Sequence, residues 1–167
     1  MTRRTVLVAA AVSIAAIAAV VALRLGREPP SDEARIRALF DDAARAAEEK
    51  RVGDAVDGVS ERFRGGGLDR QGVKQLVAYH VLRGEWVSVS IAGARIAVAG
   101  DAARANVDAV LARGSGKGKA LEALVPGEAT AHRFACRLER EPDGWRVVEA
   151  DWRAIGLSEA LAGPPEP

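Results

Sequence analysis

The sequence predicts an α+β fold: three helices packed on a curved, mainly antiparallel sheet of four strands, preceded by one transmembrane helix. Three observations carry that prediction. Apolar residues recur at a spacing of three to four from Ile36 to Val81. From Trp86 to Trp152 they recur at two. Ahead of both, the nineteen residues from Thr5 to Leu23 carry no charge, and Arg3, Arg4, Arg24 and Arg27 flank them.

The uncharged run is long enough to cross a bilayer. Nineteen helical residues rise about 28 Å, close to a hydrocarbon core of roughly 30 Å. Eight of them are Ala and only four are Leu or Ile, so insertion is favoured by a small margin. Two fates fit residues 5–23. The length and the following Arg24 suit an uncleaved anchor. The basic start, residues 1–4, and Val20-Val21-Ala22 suit a signal peptide cleaved near Ala22. The α-amino group tips the charge balance toward an N-terminus inside. The chain is then a single-pass membrane protein with its domain on the extracytoplasmic side, or a secreted one after cleavage.

Residues 24–30 form a linker, because Pro29-Pro30 cannot continue a helix interior. The folded domain is expected over 31–156. Ser31 suits an N-cap, and Asp32 and Glu33 suit the positive end of a helix dipole. Ile36, Leu39, Phe40, Ala43 and Ala47 share one face of that first helix, which should end near Gly53. Val52, Val56, Val59 and Phe63 repeat the spacing on a shorter second helix, broken by Gly65-Gly66-Gly67. Asp69 caps a third, with Val73, Leu76, Val77 and Val81 inward and Gly84 at its end.

The strands follow. Val87, Val89 and Ile91 alternate with serines, and after Ala92-Gly93-Ala94 the phase flips to Ile96 and Val98, as a β-bulge requires. Gly100-Asp101 turns the chain. Ala103, Ala105, Val107, Ala109 and Leu111 face inward, and Arg104, Asn106 and Asp108 outward. A loop spans 114–128. The third strand turns Thr130, His132, Phe134, Cys136 and Leu138 to the core. Pro142-Asp143-Gly144 reads as a three-residue hairpin loop that sets Leu138 opposite Val148, Cys136 opposite Ala150 and Phe134 opposite Trp152. In that register Trp145 and Val147 are exposed, and Glu149 and Asp151 face outward. A slip of one residue would turn all four inward. The Pro-rich tail is 157–167, and its end, Gly163-Pro164-Pro165-Glu166-Pro167, is expected to be disordered.

Charge and cysteine content exclude several functions. From Glu28 onward, 20 basic residues stand against 23 acidic ones, so no nucleic-acid footprint is present. One cysteine makes no internal disulfide, and with two histidines it matches no metal-ligand spacing. The run Gly114-Ser115-Gly116-Lys117-Gly118-Lys119 fails as a phosphate loop. Arg113 replaces its first glycine and Ala120 its Ser or Thr. No cofactor is expected.

Two stretches carry a family resemblance: Ile96-Ala97-Val98-Ala99-Gly100-Asp101-Ala102-Ala103 at the first hairpin, and Asp143-Gly144-Trp145-Arg146-Val147-Val148 near the end. With the element order, they make residues 31–156 resemble the nuclear transport factor 2-like superfamily, a cone-shaped, cystatin-like α+β fold. The resemblance implies a curved sheet wrapped around the first helix and enclosing a pocket. Members include isomerases and dehydratases, ligand binders, proteins that dimerise through the sheet, and membrane-anchored scaffolds of secretion machinery.

The enzymes of that superfamily use Asp, His and Tyr groups inside the cone, which directs attention here to His132, Phe134, Trp152, Tyr79 and His80 as pocket candidates. His132 is the candidate general base. No carboxylate is placed beside it, which favours a non-catalytic domain that binds a small apolar ligand or another protein. Trp145 and Val147 are the candidate contacts of a homodimer formed through the sheet's outer face. An isomerase or dehydratase using His132, and a scaffold subunit of an envelope or secretion complex, are the alternatives.

Overall fold

The computed structural model describes residues 29–82, 88–112 and 129–167, nearly all within one compact unit, Asp32–Pro167. The apolar run 5–23, the helix end at Gly84, the strand start at Trp86 and the loop 114–128 lie outside the described residues. Among those described, no helix is long and apolar enough to cross a membrane. The elements are α1 Asp32–Glu48, α2 Val52–Ala55, β1 Val59–Arg64, α3 Arg70–Leu82, β2 Ser88–Ala99, β3 Ala102–Ala112, β4 Ala129–Glu141, β5 Gly144–Ile155 and α4 Leu157–Ala162.

Much of this follows the residue pattern. Asp69 caps α3 as expected, its Oδ1 accepting a hydrogen bond from the Gly72 N–H at 2.8 Å. In β2, Ile91 pairs with Ala109 and Gly93 with Asp108, so Ala92 is the bulged residue. Gly100-Asp101 closes the β2–β3 hairpin. Ala103, Ala105, Val107, Ala109 and Leu111 are all buried.

The second helix is a correction. Only Val52–Ala55 is helical, and Val59–Arg64 is a strand running parallel to β5. The described sheet therefore has five strands, ordered β1-β5-β4-β3-β2. The i, i+4 spacing of Val59 and Phe63 mimics a helix. The exposed edge of β5 decides otherwise, because it offers a ladder: the Val147 N–H bonds to the Gly58 carbonyl at 2.9 Å. Residue 60 confirms the strand assignment, since buried Ser60 donates through Oγ to Glu141 on β4 at 2.7 Å.

The last hairpin is a second correction. Its turn has two residues, so Glu141 pairs with Gly144, whose φ of 120° suits glycine. Leu138 then pairs with Val147, not Val148. Val148 is bulged out, and beyond it Arg137 pairs with Glu149, Cys136 with Ala150 and Phe134 with Trp152. The extra residue assigned to the loop sits in the strand instead. Trp145 and Val147 take the inward phase and are buried at 4% and 7% exposure, so they are not outer-face contacts. Glu149 and Asp151 remain exposed.

Trp145 closes one end of the core. Its Nε1 donates to Asp32 Oδ1 at 3.2 Å, and the Arg140 guanidinium stacks 4.6 Å over its ring while also pairing with Asp32. The first turn of α1 is thus pinned to the β4–β5 hairpin.

The outer face of the sheet has two parts. Across β1, β4 and β5 it is a ladder of charges: Arg62 reaches Glu139 and Glu141 at 3.0 Å each, and Arg137 reaches Glu139 at 2.6 Å and Glu149 at 3.0 Å. Across β3 and β4 it is covered by the tail, 157–167, which includes the end expected to be disordered. Ala160 of α4 is fully buried against Val110 and Ala131. Pro164 lies so close to Gly93 that a Cβ there would sit 2.8 Å from its Cδ. Asp108 does point outward, but beneath this cover it is 0% exposed.

Candidate functional site

The concave face of the sheet, α1 and α3 enclose a cavity of about 350 Å³. Small side chains create it. Ala43, Ala44 and Ala47 on α1 and Ala109 on β3 all line it, and their short side chains fill little of the space between the elements. Leu39, Phe40, Val73, Val77 and Leu111 complete an apolar wall. Leu76 at 39% and Trp152 at 37% exposure also line the cavity, so its rim lies between α3 and β5.

Four of the five pocket residues named from sequence meet here: His80, His132, Phe134 and Trp152. Tyr79 does not line the cavity. It is 52% exposed and packs edge-on against His80, ring centres 5.2 Å apart. Phe134 and Trp152 are cross-strand partners whose rings lie 6.5 Å apart and tilted by 33°. Sequence reasoning missed what holds Trp152. Gly66, at φ 53°, lies against its ring, and a Cβ would fall 2.3 Å from Cη2. The triple glycine was the available signal.

His132 and His80 bring polar ring atoms to the wall. His132 projects from β4 opposite Ala109, and among the described residues its buried Nδ1 has no hydrogen-bond partner. Burial, then the nearby His80, push its pKa below the usual imidazole value, which keeps the ring neutral. Cys136 also lines the cavity, but burial pushes its thiol up to about 12, so it is no nucleophile at neutral pH. Among the described residues, no Asp, Glu, Lys or Arg lines the cavity, and no cluster of three His, Cys, Asp or Glu is placed to hold a metal. Among the described residues, the arrangement offers an apolar body of space and one buried nitrogen without a partner, Nδ1 of His132.

No family model and no curated protein sequence matches the chain. Solved structures do match its fold. An NTF2-like protein with a cystatin-like fold from Novosphingobium aromaticivorans superposes with a TM-score of 0.57 at 19% identity, covering 87% of this chain and 93% of that one. An NTF2-like protein from Pseudomonas putida KT2440 gives 0.58 at 14% identity, over 72% and 84%. Bd1075 of Bdellovibrio bacteriovorus gives 0.55 at 9% identity, and there the match covers 73% of this chain but only 40% of the other. The chain therefore has the nuclear transport factor 2-like, cystatin-like α+β fold, with five strands and four helices among the described residues.

Proposed function

We propose that this chain is a membrane-tethered domain that captures a small apolar molecule in its cone and carries out no reaction on it. The observation that carries the reading is the cavity: about 350 Å³ of apolar space, open at a rim of Leu76 and Trp152. That volume falls in the range of roughly 300–1,000 Å³ typical of small-molecule sites. The tether rests on the uncharged run 5–23 and its flanking arginines, which favour the extracytoplasmic side. The non-catalytic part rests on the lining. Among the described lining residues there is no carboxylate to orient or charge His132, and Cys136 is held as a thiol.

The test uses N-phenyl-1-naphthylamine, an uncharged dye that brightens in apolar surroundings. One-to-one saturable binding is expected, with weakening on Ala109→Leu, whose added atoms occupy part of the cavity. Absence of saturable binding sinks the reading.

The competing reading, an isomerase or dehydratase with His132 as base, draws on the same unpartnered Nδ1. It requires the protein to accelerate exchange of the α-protons of 2-tetralone with deuterium oxide, and His132→Phe to abolish the acceleration. An unaccelerated rate supports capture without catalysis.

A further inference from the structure

We propose that the molecule held in the cone is an uncharged compound of one to two rings with a single hydroxyl, and that this hydroxyl bonds to Nδ1 of His132. This rests on the capture reading above and specifies its chemistry.

Size sets the body. A dry cavity of roughly 150 Å³ holds one benzene ring. At about 350 Å³ the cone has room for two fused rings. The tilted pair of Phe134 and Trp152 offers aromatic surface along one wall.

Electrostatics sets the head group. An anion entering here would meet no Lys or Arg among the described lining residues. Protonating His132 to receive it is opposed by burial and by His80. An amine would arrive as a cation and meet no carboxylate. A charge left unpaired in such a site is far more costly than a neutral group.

The orphan nitrogen sets the number and kind of polar atoms. A buried, unpartnered Nδ1 is costly until something bonds to it. In a neutral imidazole that nitrogen is an N–H donor in one tautomer and a lone-pair acceptor in the other. A hydroxyl, both donor and acceptor, satisfies either one. A carbonyl satisfies only the donor form.

The test is equilibrium dialysis of the full-length chain against 2-naphthol, naphthalene and 2-naphthoate, each with a protein-free blank. Expected is roughly five- to tenfold tighter binding of 2-naphthol than of naphthalene, the worth of one neutral hydrogen bond. 2-Naphthoate should bind at least tenfold more weakly than 2-naphthol. His132→Leu should hold naphthalene as the parent does and lose the preference for 2-naphthol. Equal binding of naphthalene and 2-naphthol overturns the pairing with His132 and leaves capture standing. Tightest binding of 2-naphthoate overturns the uncharged head group. Binding of none of the three removes the capture reading as well. If the variant fails to fold, the three compounds on the parent chain decide by themselves.

Discussion

Arg133 holds Asp108 with two parallel hydrogen bonds, Nε to Oδ1 at 2.7 Å and Nη2 to Oδ2 at 2.8 Å. Asp108 is 0% exposed and the Arg133 side chain 11%. The same guanidinium reaches Glu159 on α4 at 2.9 Å, and Arg153 reaches that carboxylate at 2.6 Å. A buried bidentate pair on the outer face of the sheet is thus what the C-terminal segment docks upon. It lies on the opposite side of β3 and β4 from the cavity.

Removing one member should be worse than removing both. Arg133→Leu leaves a carboxylate with neither water nor counter-charge, at a cost of about 3–5 kcal/mol. Replacing the whole pair by apolar groups is often close to neutral. Urea unfolding of Arg133→Leu and of the double variant Asp108→Leu/Arg133→Leu checks this. The double variant should recover much of the loss, and a single variant as stable as the parent would contradict the burial of Asp108.

Ending the chain at Gly156, the boundary the residue pattern suggests, should also destabilise it. The cut removes Ala160, fully buried, exposes Val110 and Ala131, and takes Glu159 away from Arg133. Loss of one buried aliphatic contact set costs about 1.5–3 kcal/mol. A shortened chain with an unchanged urea midpoint would show that the segment contributes nothing to the fold.

The legibility of this molecule follows its local signals. Elements defined by period and caps were readable: the start and inner face of α1, which ends at Glu48 and not near Gly53, α3 with its Asp69 cap, the Ala92 bulge, and the inward series Ala103 to Leu111. What depended on long-range pairing was not. Val59–Arg64 looks helical by spacing and becomes a strand because β5 presents an edge some ninety residues later in the chain. The tail is rich in proline, yet it docks because a strand face with Asp108, Val110, Ala131 and Arg133 awaits it. In the last hairpin an inserted residue can sit in the turn or in the strand, and the alternation beyond Val148 is the same in both cases. That choice decided whether Trp145 and Val147 were surface or core. Of the site, His132, His80, Phe134 and Trp152 were readable from strand phase and helix face, but the empty space was not. A cavity is a mismatch between opposing walls, and only their assembly reveals it.

That mismatch predicts a contrast between two alanines on one strand. Ala105 pairs with Cys136 and is 0% exposed in packed core. Ala109 pairs with His132 and borders the cavity. Ala105→Leu should cost about 1–3 kcal/mol through overpacking. Ala109→Leu should be near neutral or stabilising, since its added atoms enter empty space. Thermal unfolding of both variants checks the contrast, and equal losses would mean that the space beside Ala109 is already filled.

Gly66 should not tolerate a side chain. Its left-handed φ costs a non-glycine residue about 1–2 kcal/mol, and a Cβ would collide with the Trp152 ring. Gly66→Ala should lower stability by more than that backbone cost and displace Trp152 from the rim. Gly67→Ala, also at positive φ but with open space around it, should show the backbone cost alone. Urea midpoints and tryptophan emission separate the two, and identical behaviour would remove the case for contact with Trp152.

His132 supplies a pH dependence whose direction is fixed. Burial and His80 hold its pKa below the ordinary value of about 6.5. The folded chain therefore binds a proton less readily than the unfolded chain. Its contribution to stability is complete above pH about 6.5 and is lost as pH falls through the lowered folded value. Stability should be level from neutral pH upward and begin to fall below about 6.5, well before carboxylates titrate near 4. His132→Phe should flatten the decline that lies between those values. The ring protons of His132 in an NMR titration should show a midpoint below 6.5. Binding of 2-naphthol, which deepens the burial of the ring and bonds to its neutral form, should move that midpoint lower still. A midpoint at or above 6.5 in the free chain would mean that His132 is solvated or paired. The orphan nitrogen would then no longer be available to select a hydroxyl.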